Sequence, residues 1–392
     1  MRIVFLTACL EPGRDGVGDY TRLLAEECER LGHACAIVAL SDSYVGKKEE
    51  TSAGAHILRL PNNSSWSSRF SDLARFTTGF APDWFSLQFV CFGFHPKGVS
   101  PFLAARLKRL IGSSPLQIMF HELWIGSELG ALFRNRAMGA LQKYFILNLI
   151  RKLSPEIINT SNSAYIHLLK EQGISAQLLP LFGALPVQTL PGDHWIFPEL
   201  QKVGIAITPE KRAEFWLFGM FGTLHPIWPP EPLFAMLREA SIKSRRNIVI
   251  LAIGRIGSGQ SLWVSLAKEY EADFCFLNLG ERDPQRISEF LNTMDFGIAT
   301  TPFTIIGKSA TAAAMIEHGL PVIVNRDELR FKGFTERPSE ARSPLIRINK
   351  EFSITLETAA RSVHQSALAK VASQFLNSLK TSELPIGCVC SI

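Results

Sequence analysis

The sequence lacks several features that mark particular classes of protein. It has no apolar run near the ~20 residues that cross a bilayer, since the longest candidate, Tyr144 to Ile150, contains Asn148 and has basic neighbours. It has no low-complexity tract, and 46% hydrophobic with 20% charged residues is typical of an ordered globular protein. The lysines and arginines are scattered and form no basic stripe, so we predict no nucleic-acid partner.

The cysteines exclude two further classes. They are seven, an odd number, and their irregular spacing fits neither a disulfide framework nor a zinc-binding motif. Reduced thiols are typical of the cytoplasm, so we predict a cytoplasmic protein without a metal. Cys388 and Cys390 could together bind a metal. The preferred interpretation is a frayed C-terminal tail whose thiols bind nothing.

The chain is long enough for two domains, because 392 residues exceed what one core usually sustains. Apolar strands alternate with amphipathic helices in both halves, a pattern that predicts parallel sheets with helices on both faces. We therefore predict an α/β protein of two Rossmann-like, doubly wound domains facing a cleft. The strands are predicted at 2–8, 34–40, 84–87, 116–120 and 157–160, and again at 215–221, 247–253, 274–277, 296–300 and 321–325.

The boundary between the domains is predicted within the segment from Pro180 to Lys211, which contains prolines and glycines and has little periodicity. We place the N-terminal domain at residues 1–190 and the C-terminal domain at residues 191–352. A last helix is predicted from about Ser353 to Leu379, within a C-terminal segment of residues 353–392.

A glycine-bearing loop joins the first strand to the first helix. Gly16, Val17 and Gly18 lie in it, and we predict that backbone amides at this helix N-terminus bind a phosphate or a sugar. Glycines at positions 13, 16 and 18 do not follow the spacing of a dinucleotide-binding fingerprint. A turn without a ligand is the alternative interpretation.

A second candidate site precedes the helix predicted from Ser309 to His318. Gly307 allows a close approach of the backbone, Lys308 supplies positive charge, and Ser309 supplies a hydroxyl at the helix N-terminus. Such groups stabilise a departing diphosphate. A solvated lysine next to a serine that only caps the helix is the alternative.

Short motifs follow one another along residues 1 to about 325. They are Gly16 to Tyr20, Gly32-His33-Ala34, Pro82 to Gln88, Phe120-His121-Glu122, Gly280, Asp295 to Pro302, and Glu317 to Ile323. Their order resembles that of the two-domain GT-B fold glycosyltransferases and, within them, the large retaining glycosyltransferase family 4. The resemblance also implies that the C-terminal helix crosses back to the N-terminal domain.

The resemblance implies a metal-independent enzyme that moves a sugar, with retention of configuration, from a nucleotide-sugar donor to a glycan or a lipid-linked acceptor. The donor is then a substrate and no cofactor is expected. His121 would hydrogen-bond the donor sugar, Glu122 would reach the acceptor, and Lys308 would neutralise the diphosphate. Polysaccharide or glycoconjugate biosynthesis is the implied process. A satisfied loop histidine beside a solvated carboxylate is the alternative for the His-Glu pair.

The chain departs from the pattern of family 4 at the donor site. The two glutamates of the family's E-x7-E motif would fall at Ile306 and Ala314. The Arg and Lys pair expected after the first strand of the C-terminal domain is also missing, and His225 is the group there that can carry positive charge. Arg255 is a secondary candidate for phosphate binding, and Glu281 lies where relatives bind the nucleotide base through the backbone.

Two alternatives follow from these departures. An inactive relative that binds a sugar nucleotide or acts as a scaffolding subunit is the second hypothesis, and a GT-B epimerase or another phosphosugar enzyme is the third. The helix from Leu132 to Leu153 carries five basic residues, so peripheral contact with the inner face of a membrane is a further hypothesis. Burial of this helix against the sheet is preferred, because its charges do not share one face. The oligomeric state is not predicted.

Overall fold

The computed structural model describes residues 1–46, 48–52, 54–187, 195–335 and 345–382. The chain divides into two compact units. Unit 1 contains Met1–Leu181, Phe331–Phe334 and the chain from Leu368 onward, and unit 2 contains Phe182–Arg330 and Thr335–Ala367. Cys388, Cys390 and part of the predicted linker lie outside the described residues.

Unit 1 is built on a sheet with the strand order β3-β4-β2-β1-β5-β6-β7-β8. All neighbouring strands are parallel except β3, which pairs antiparallel with β4. The strands are β1 (Arg2–Thr7), β2 (Ala34–Asp42), β3 (Glu49–Ser52), β4 (Ala55–Pro61), β5 (Trp84–Phe89), β6 (Leu116–Phe120), β7 (Ile157–Thr160) and β8 (Gln177–Leu178). The helices between them are α1 (Gly16–Arg30), α2 (Trp66–Phe80), α3 (Cys91–Phe94), α4 (Leu103–Ile111), α5 (Phe133–Leu153) and α6 (Ser163–Lys170).

Unit 2 has a fully parallel sheet with the order β11-β10-β9-β12-β13-β14. Its strands are β9 (Phe215–Phe221), β10 (Asn247–Ile253), β11 (Cys275–Asn278), β12 (Phe296–Ala299), β13 (Val322–Val324) and β14 (Leu345–Arg347). Its helices are α7 (Ile196–Lys202), α8 (Glu231–Ser244), α9 (Gln260–Glu269), α10 (Pro284–Thr293), α11 (Ala310–Glu317) and α12 (Phe352–Thr358). The fold class predicted from the sequence, two parallel-sheet α/β domains, is confirmed.

The core of unit 2 lies on both faces of its sheet. Along β10, Ile248 and Ile250 pack into one hydrophobic cluster, while Val249 and Leu251 pack into the cluster on the opposite face. Side chains alternate between the faces of a strand, so a strand that is apolar at every position is buried by helices on both sides. The continuous apolar run of β10 is therefore the sequence signal of a doubly covered parallel sheet.

The single helix predicted from Ser353 to Leu379 is wrong. The chain forms two helices there, α12 and α13 (Leu368–Ser382), and α13 belongs to unit 1. Between them the chain donates backbone hydrogen bonds from Ser362 to the Gly319 carbonyl and from Gln365 to the Glu317 carbonyl. Because these amides have partners outside a helix, a continuous helix does not form.

No helix in the described part of the chain has both the length and the apolar character that crossing a membrane requires. The longest of them, α5, has 21 residues and includes five basic side chains. The sequence favours burial of this helix against the sheet, and the structure buries one of its faces. The buried residues are Gly139, Gln142, Ile146, Leu149 and Leu153.

Candidate functional site

The candidate site lies in unit 2, where the strand order reverses. The chain runs from β9 outward to β10 and β11, then returns to the other side of β9 and continues through β12, β13 and β14. Connections leave β9 and β12 in opposite directions, which opens a crevice at the carboxyl ends of these two strands, the place where open α/β sheets bind ligands. The crevice is lined by Met220, Phe221, Gly222, Thr223, Leu224, Ala252, Ile256, Trp263, Ile298, Ala299, Thr300, Thr301 and Thr311.

A glycine turn brings the backbone after β9 close to the first turn of α11. Gly222 has a φ of +79°, and a Cβ atom there would lie 3.0 Å from the Thr311 Cγ2 atom. A side chain at this position would be strained by the backbone angle and crowded by the helix, so glycine permits the close approach. The crevice therefore has a helix N-terminus on one wall, with its partial positive charge.

The N-terminus of α11 is capped by Ser309, one of the predicted site residues. The Ser309 Oγ atom accepts from the Ala312 amide at 3.2 Å and lies 3.1 Å from the Thr311 Oγ1 atom. Ser309 is thus a helix cap, which is the role that the alternative interpretation of the sequence gives it. Gly307 and Lys308 directly precede it and are half-buried.

Two basic side chains, Lys308 and Arg326, lie near His225 in the loop after β9. The pKa of His225 lies below its usual value because the ring is partly buried, and because the charges of Arg326 and Lys308 disfavour a further proton. The His225 amide donates to the Thr300 Oγ1 atom at 3.4 Å, which ties it to the crevice wall. The Glu328 carboxylate, which pairs with Arg326, acts on His225 in the opposite direction, so the loop after β9 and the end of β13 share one charged region.

Arg326 is a candidate site residue that the sequence did not indicate. It is buried, its Nη1 atom donates to the Thr300 carbonyl at 3.2 Å, and its Nε atom donates to Glu328 at 2.6 Å. The preceding Asn325 accepts from the Trp228 indole at 2.6 Å, which joins β13 to the loop that carries His225. The sequence does offer one indication: Arg326 directly follows a buried strand, and the residues that follow parallel strands lie at the ligand-binding edge of the sheet.

Arg255 and Glu281, predicted near the nucleotide, bind each other. Two hydrogen bonds, at 3.1 and 3.0 Å, join the guanidinium to the carboxylate, and both side chains are exposed. They follow β10 and β11, on the same edge of the sheet as the crevice. An exposed ion pair contributes little stability, and a role for these residues in nucleotide binding stays a prediction.

The prediction that the amides of Val17 and Gly18 are free for a ligand is wrong. Both donate to the Asp15 Oδ1 atom, at 2.9 and 3.0 Å, so the chain's own carboxylate occupies this helix N-terminus. Asp19 in the same turn accepts from the Gly13 amide. A phosphate at this place would meet two carboxylates, and we assign no phosphate site to the loop of Gly16, Val17 and Gly18.

Replacing Asp15 with alanine should lower the free energy of unfolding by about 1 kcal/mol, the usual contribution of an N-cap. Urea unfolding measures this loss. The same variant should bind nucleoside diphosphates as tightly as the unchanged chain, because its capped amides are not the phosphate site. Tighter diphosphate binding by Asp15→Ala would instead show that the uncovered amides of Val17 and Gly18 face the ligand.

His121 is held in a buried polar chain at the carboxyl end of β6. Its Nε2 atom lies 2.9 Å from the Gln88 Oε1 atom, and its ring meets the Tyr20 ring edge-on at 4.9 Å. The amide oxygen of Gln88 accepts, which assigns the proton to Nε2. Burial lowers the pKa of His121 to about 3, so the imidazole is neutral near pH 7.

The polar chain continues across three strands of unit 1. Gln88 donates to Ser86, Ser86 donates to Gln117, and Gln117 donates to Asn159, at 2.8, 2.6 and 2.9 Å. Each of these side chains is buried, and each has a partner, which removes the cost of desolvation. The network fixes the orientation of His121, while Glu122 beside it is half-buried.

Among the described residues, no group of three or more histidine, cysteine, aspartate or glutamate side chains could hold a metal ion. The positions that correspond to the E-x7-E motif carry apolar side chains that are buried in unit 2, Ile306 and Ala314. Gly183 packs on Ala314, since a Cβ atom on that glycine would lie 2.6 Å from the Ala314 Cα atom. Ile306 and Ala314 both belong to the hydrophobic core on one face of the unit 2 sheet.

No protein-family model matches the chain, and no curated protein sequence matches it. Solved structures of similar fold exist. HepE of Anabaena in complex with UDP-glucose is 14% identical with a TM-score of 0.54, over 97% of this chain and 100% of HepE. WaaG, a glycosyltransferase involved in lipopolysaccharide biosynthesis, is 14% identical with a TM-score of 0.56, over 98% of this chain and 100% of WaaG.

An α,α-trehalose 6-phosphate synthase from Burkholderia multivorans is 10% identical with a TM-score of 0.55, over 97% of this chain and 96% of the synthase. Identities this low show the fold alone. The chain therefore has the GT-B fold of these proteins, with two Rossmann-like units.

Proposed function

We propose that the chain is a nucleotide-sugar glycosyltransferase whose donor diphosphate binds in unit 2. The observation that carries this proposal is the β9–β12 crevice, which Thr311 in the first turn of α11 lines and beside which Arg326 donates to the Thr300 carbonyl, with Lys308 just before α11. A crevice at a strand-order reversal with convergent cations suits a phosphorylated ligand. Solved structures of similar fold that hold UDP or UDP-glucose support the same ligand class.

The proposed roles follow from the charge that develops during transfer. When the bond from the sugar to the diphosphate breaks, negative charge builds up on the departing oxygen. Lys308 and the partial positive charge at the N-terminus of α11 stabilise that charge, and Arg326 contributes a cation held in place by Glu328 and the Thr300 carbonyl. His225, with its lowered pKa, acts as a neutral hydrogen-bonding group.

The finer parts of the proposal rest on the resemblance to family 4. They are retention of configuration, independence from metal ions, and transfer to a glycan or lipid-linked acceptor in polysaccharide or glycoconjugate assembly at a cytoplasmic location. His121 would hydrogen-bond the donor sugar and Glu122 would act on the acceptor. Since burial holds the pKa of His121 at about 3, it serves as a neutral, oriented group and not as a proton donor near pH 7.

Calorimetric titration with the diphosphates of uridine, guanosine and adenosine tests the proposal. At least one should bind, and Lys308→Ala should weaken it by about 5-fold to 150-fold, which corresponds to the roughly 1 to 3 kcal/mol of a charge-assisted contact. Lys243→Ala is the matched control, because that exposed lysine on α8 pairs with Glu239 at 2.6 Å, away from the crevice. It should leave the affinity unchanged.

Two results would count against the proposal. If none of the three diphosphates binds, the donor site is rejected. If one binds and Lys308→Ala binds it equally well, the lysine does not contact the phosphates. If a diphosphate binds, the chain is next incubated with the matching sugar nucleotides, and the release of diphosphate is measured. The anomeric configuration of the released sugar then distinguishes retention from inversion.

A second candidate function is that of a nucleotide-binding subunit without transferase activity. It is favoured by Ile306 and Ala314, the buried apolar side chains at the E-x7-E positions. Apolar groups there supply no acceptor for the hydroxyls of the donor. Binding of a diphosphate without turnover of any sugar nucleotide would support this function over the first.

A further inference from the structure

One helix of unit 1 exposes large apolar side chains to solvent. Phe133 is 85% exposed, and Leu132 and Leu129 just before it are each 59% exposed. Leu141 and Tyr144, further along α5, are 43% and 57% exposed. We call these five residues the α5 apolar face. They gather in one stretch of chain, unlike the single exposed apolar residues that any surface carries.

The spacing places the members of the α5 apolar face that lie within the helix on a second face of α5. Positions 133, 137, 141 and 144 follow one another at intervals of three or four, which places them on one side of an α-helix. The buried side of α5 uses other positions, including Gly139, Gln142 and Ile146. Packing within the described chain therefore uses one side of α5 and leaves the α5 apolar face uncovered.

Positive charge surrounds this face. From Leu129 to Pro155 the sequence has five basic residues and no acidic one. Arg134 and Arg136 lie within a turn of Phe133, and Arg151 and Lys152 lie at the other end of the helix; all four are exposed. Apolar side chains flanked by cations suit a partner that is apolar inside and anionic at its surface.

We propose that the α5 apolar face docks on the surface of an anionic lipid bilayer, with Leu132 and Phe133 inserted among the headgroups. Anionic headgroups attract the flanking arginines, and the apolar side chains leave water. A second copy of the chain fits less well, because two such faces would bring like charges together. This inference is independent of the proposed glycosyltransferase function.

Vesicle flotation with the full chain tests the docking. Vesicles of phosphatidylcholine with about one-third phosphatidylglycerol should bind at least about tenfold tighter than phosphatidylcholine alone in about 0.1 M salt, where the Debye length is about 10 Å. Leu132→Ser with Phe133→Ser should weaken binding by at least about tenfold. Arg134→Gln and Arg136→Gln should each weaken it by about fivefold and reduce its dependence on salt.

Ile242→Ser is the matched control, because this isoleucine on α8 of unit 2 is 73% exposed but lies outside the α5 apolar face. It should bind vesicles as the unchanged chain does. Diphosphate affinity in solution should be the same for all variants, and a native circular dichroism spectrum checks folding. If the serine variant misfolds, Arg134→Gln and Arg136→Gln still test the docking.

Three outcomes would overturn the proposal: no binding to anionic vesicles, equal binding to both vesicle types, or equal binding by the unchanged chain and the variants. Light scattering adds a fourth. If the unchanged chain is a dimer that Leu132→Ser with Phe133→Ser dissociates, the face belongs to a second copy and not to a membrane.

Discussion

Acidification from pH 7 to pH 4 is expected to lower the free energy of unfolding by about 3 kcal/mol through His121 alone. Burial lowers the pKa of this imidazole from 6.5 to about 3, so the folded chain keeps it neutral throughout that range. In the unfolded chain the ring takes up a proton below about pH 6.5, which favours unfolding by about 1.4 kcal/mol per pH unit. Stability is therefore present above pH 6.5 and is lost as the pH falls.

Comparison with His121→Gln isolates this effect. The glutamine Nε2 atom can donate to Gln88 as the imidazole does, and glutamine has no charge to gain. Any constant packing cost of the substitution cancels when the difference between variant and unchanged chain is compared at pH 7 and at pH 4 in urea unfolding. From pH 7 to pH 4, the unfolding free energy of the variant should rise by about 3 kcal/mol relative to that of the unchanged chain.

His56→Gln is the control for this prediction, because His56 is exposed on β4 of the same unit. The difference in unfolding free energy between His56→Gln and the unchanged chain should be the same at pH 7 and at pH 4. Nuclear magnetic resonance provides a direct check, since the ring signals of His121 should not titrate between pH 7 and pH 4. A titration near pH 6.5 would show that the imidazole is open to water and would contradict the burial.

Replacing Glu317 with glutamine is expected to have an effect of similar size and opposite pH dependence. Glu317 is buried at the end of α11, and burial raises the pKa of its carboxyl to about 7, although the amides of Gly183 and Ala367 offset part of the shift. The Gly183 amide donates to its Oε1 atom at 2.9 Å. The folded chain therefore holds a proton that the unfolded chain releases above about pH 4.5.

The unchanged chain is most stable through this group below about pH 4.5, and it loses about 1.4 kcal/mol per unit as the pH rises to about 7. Glutamine has no proton to lose. The difference in unfolding free energy between Glu317→Gln and the unchanged chain should therefore increase by about 3 kcal/mol from pH 4 to pH 8.

The exposed Glu357 on α12 supplies the control, and Glu357→Gln should show no such increase. A flat difference for Glu317→Gln across this range would mean that the carboxyl is ionised as readily in the folded chain as in the unfolded one. His121 and Glu317 lie in different units, so the two variants report on the two sheets separately.

Several strand ends follow directly from the sequence. β9 and β10 begin and end where predicted, and so do β6 and β7, because in each a short stretch rich in apolar residues lies between polar, glycine or proline residues. Polar side chains within β6 and β7, such as Gln117 and Asn159, do not interrupt these strands. The antiparallel strand β3 and the helix α2 were not predicted. Among the buried positions of α2 are Arg69 and Thr77, so its hydrophobic periodicity is weak.

Local motifs identified only part of the candidate site. Lys308 and Ser309 were found because glycine, lysine and serine directly precede a helix, which is a local pattern. Arg326 was missed because it joins the site from the end of another strand. The role predicted for the loop at Val17 was wrong because Asp15, two residues away, turns its carboxylate back onto the same amides.

The sequence by itself determined the α/β class, the two parallel sheets and the glycine turns, because these depend on periodicity and backbone freedom within short segments. Only the tertiary structure decided which charges act together. Strand order brings Arg326 and Lys308 to one histidine, burial keeps His121 neutral, and packing covers one side of α5 while the side with Phe133 stays in solvent. Each of these depends on distances between segments that are far apart along the chain.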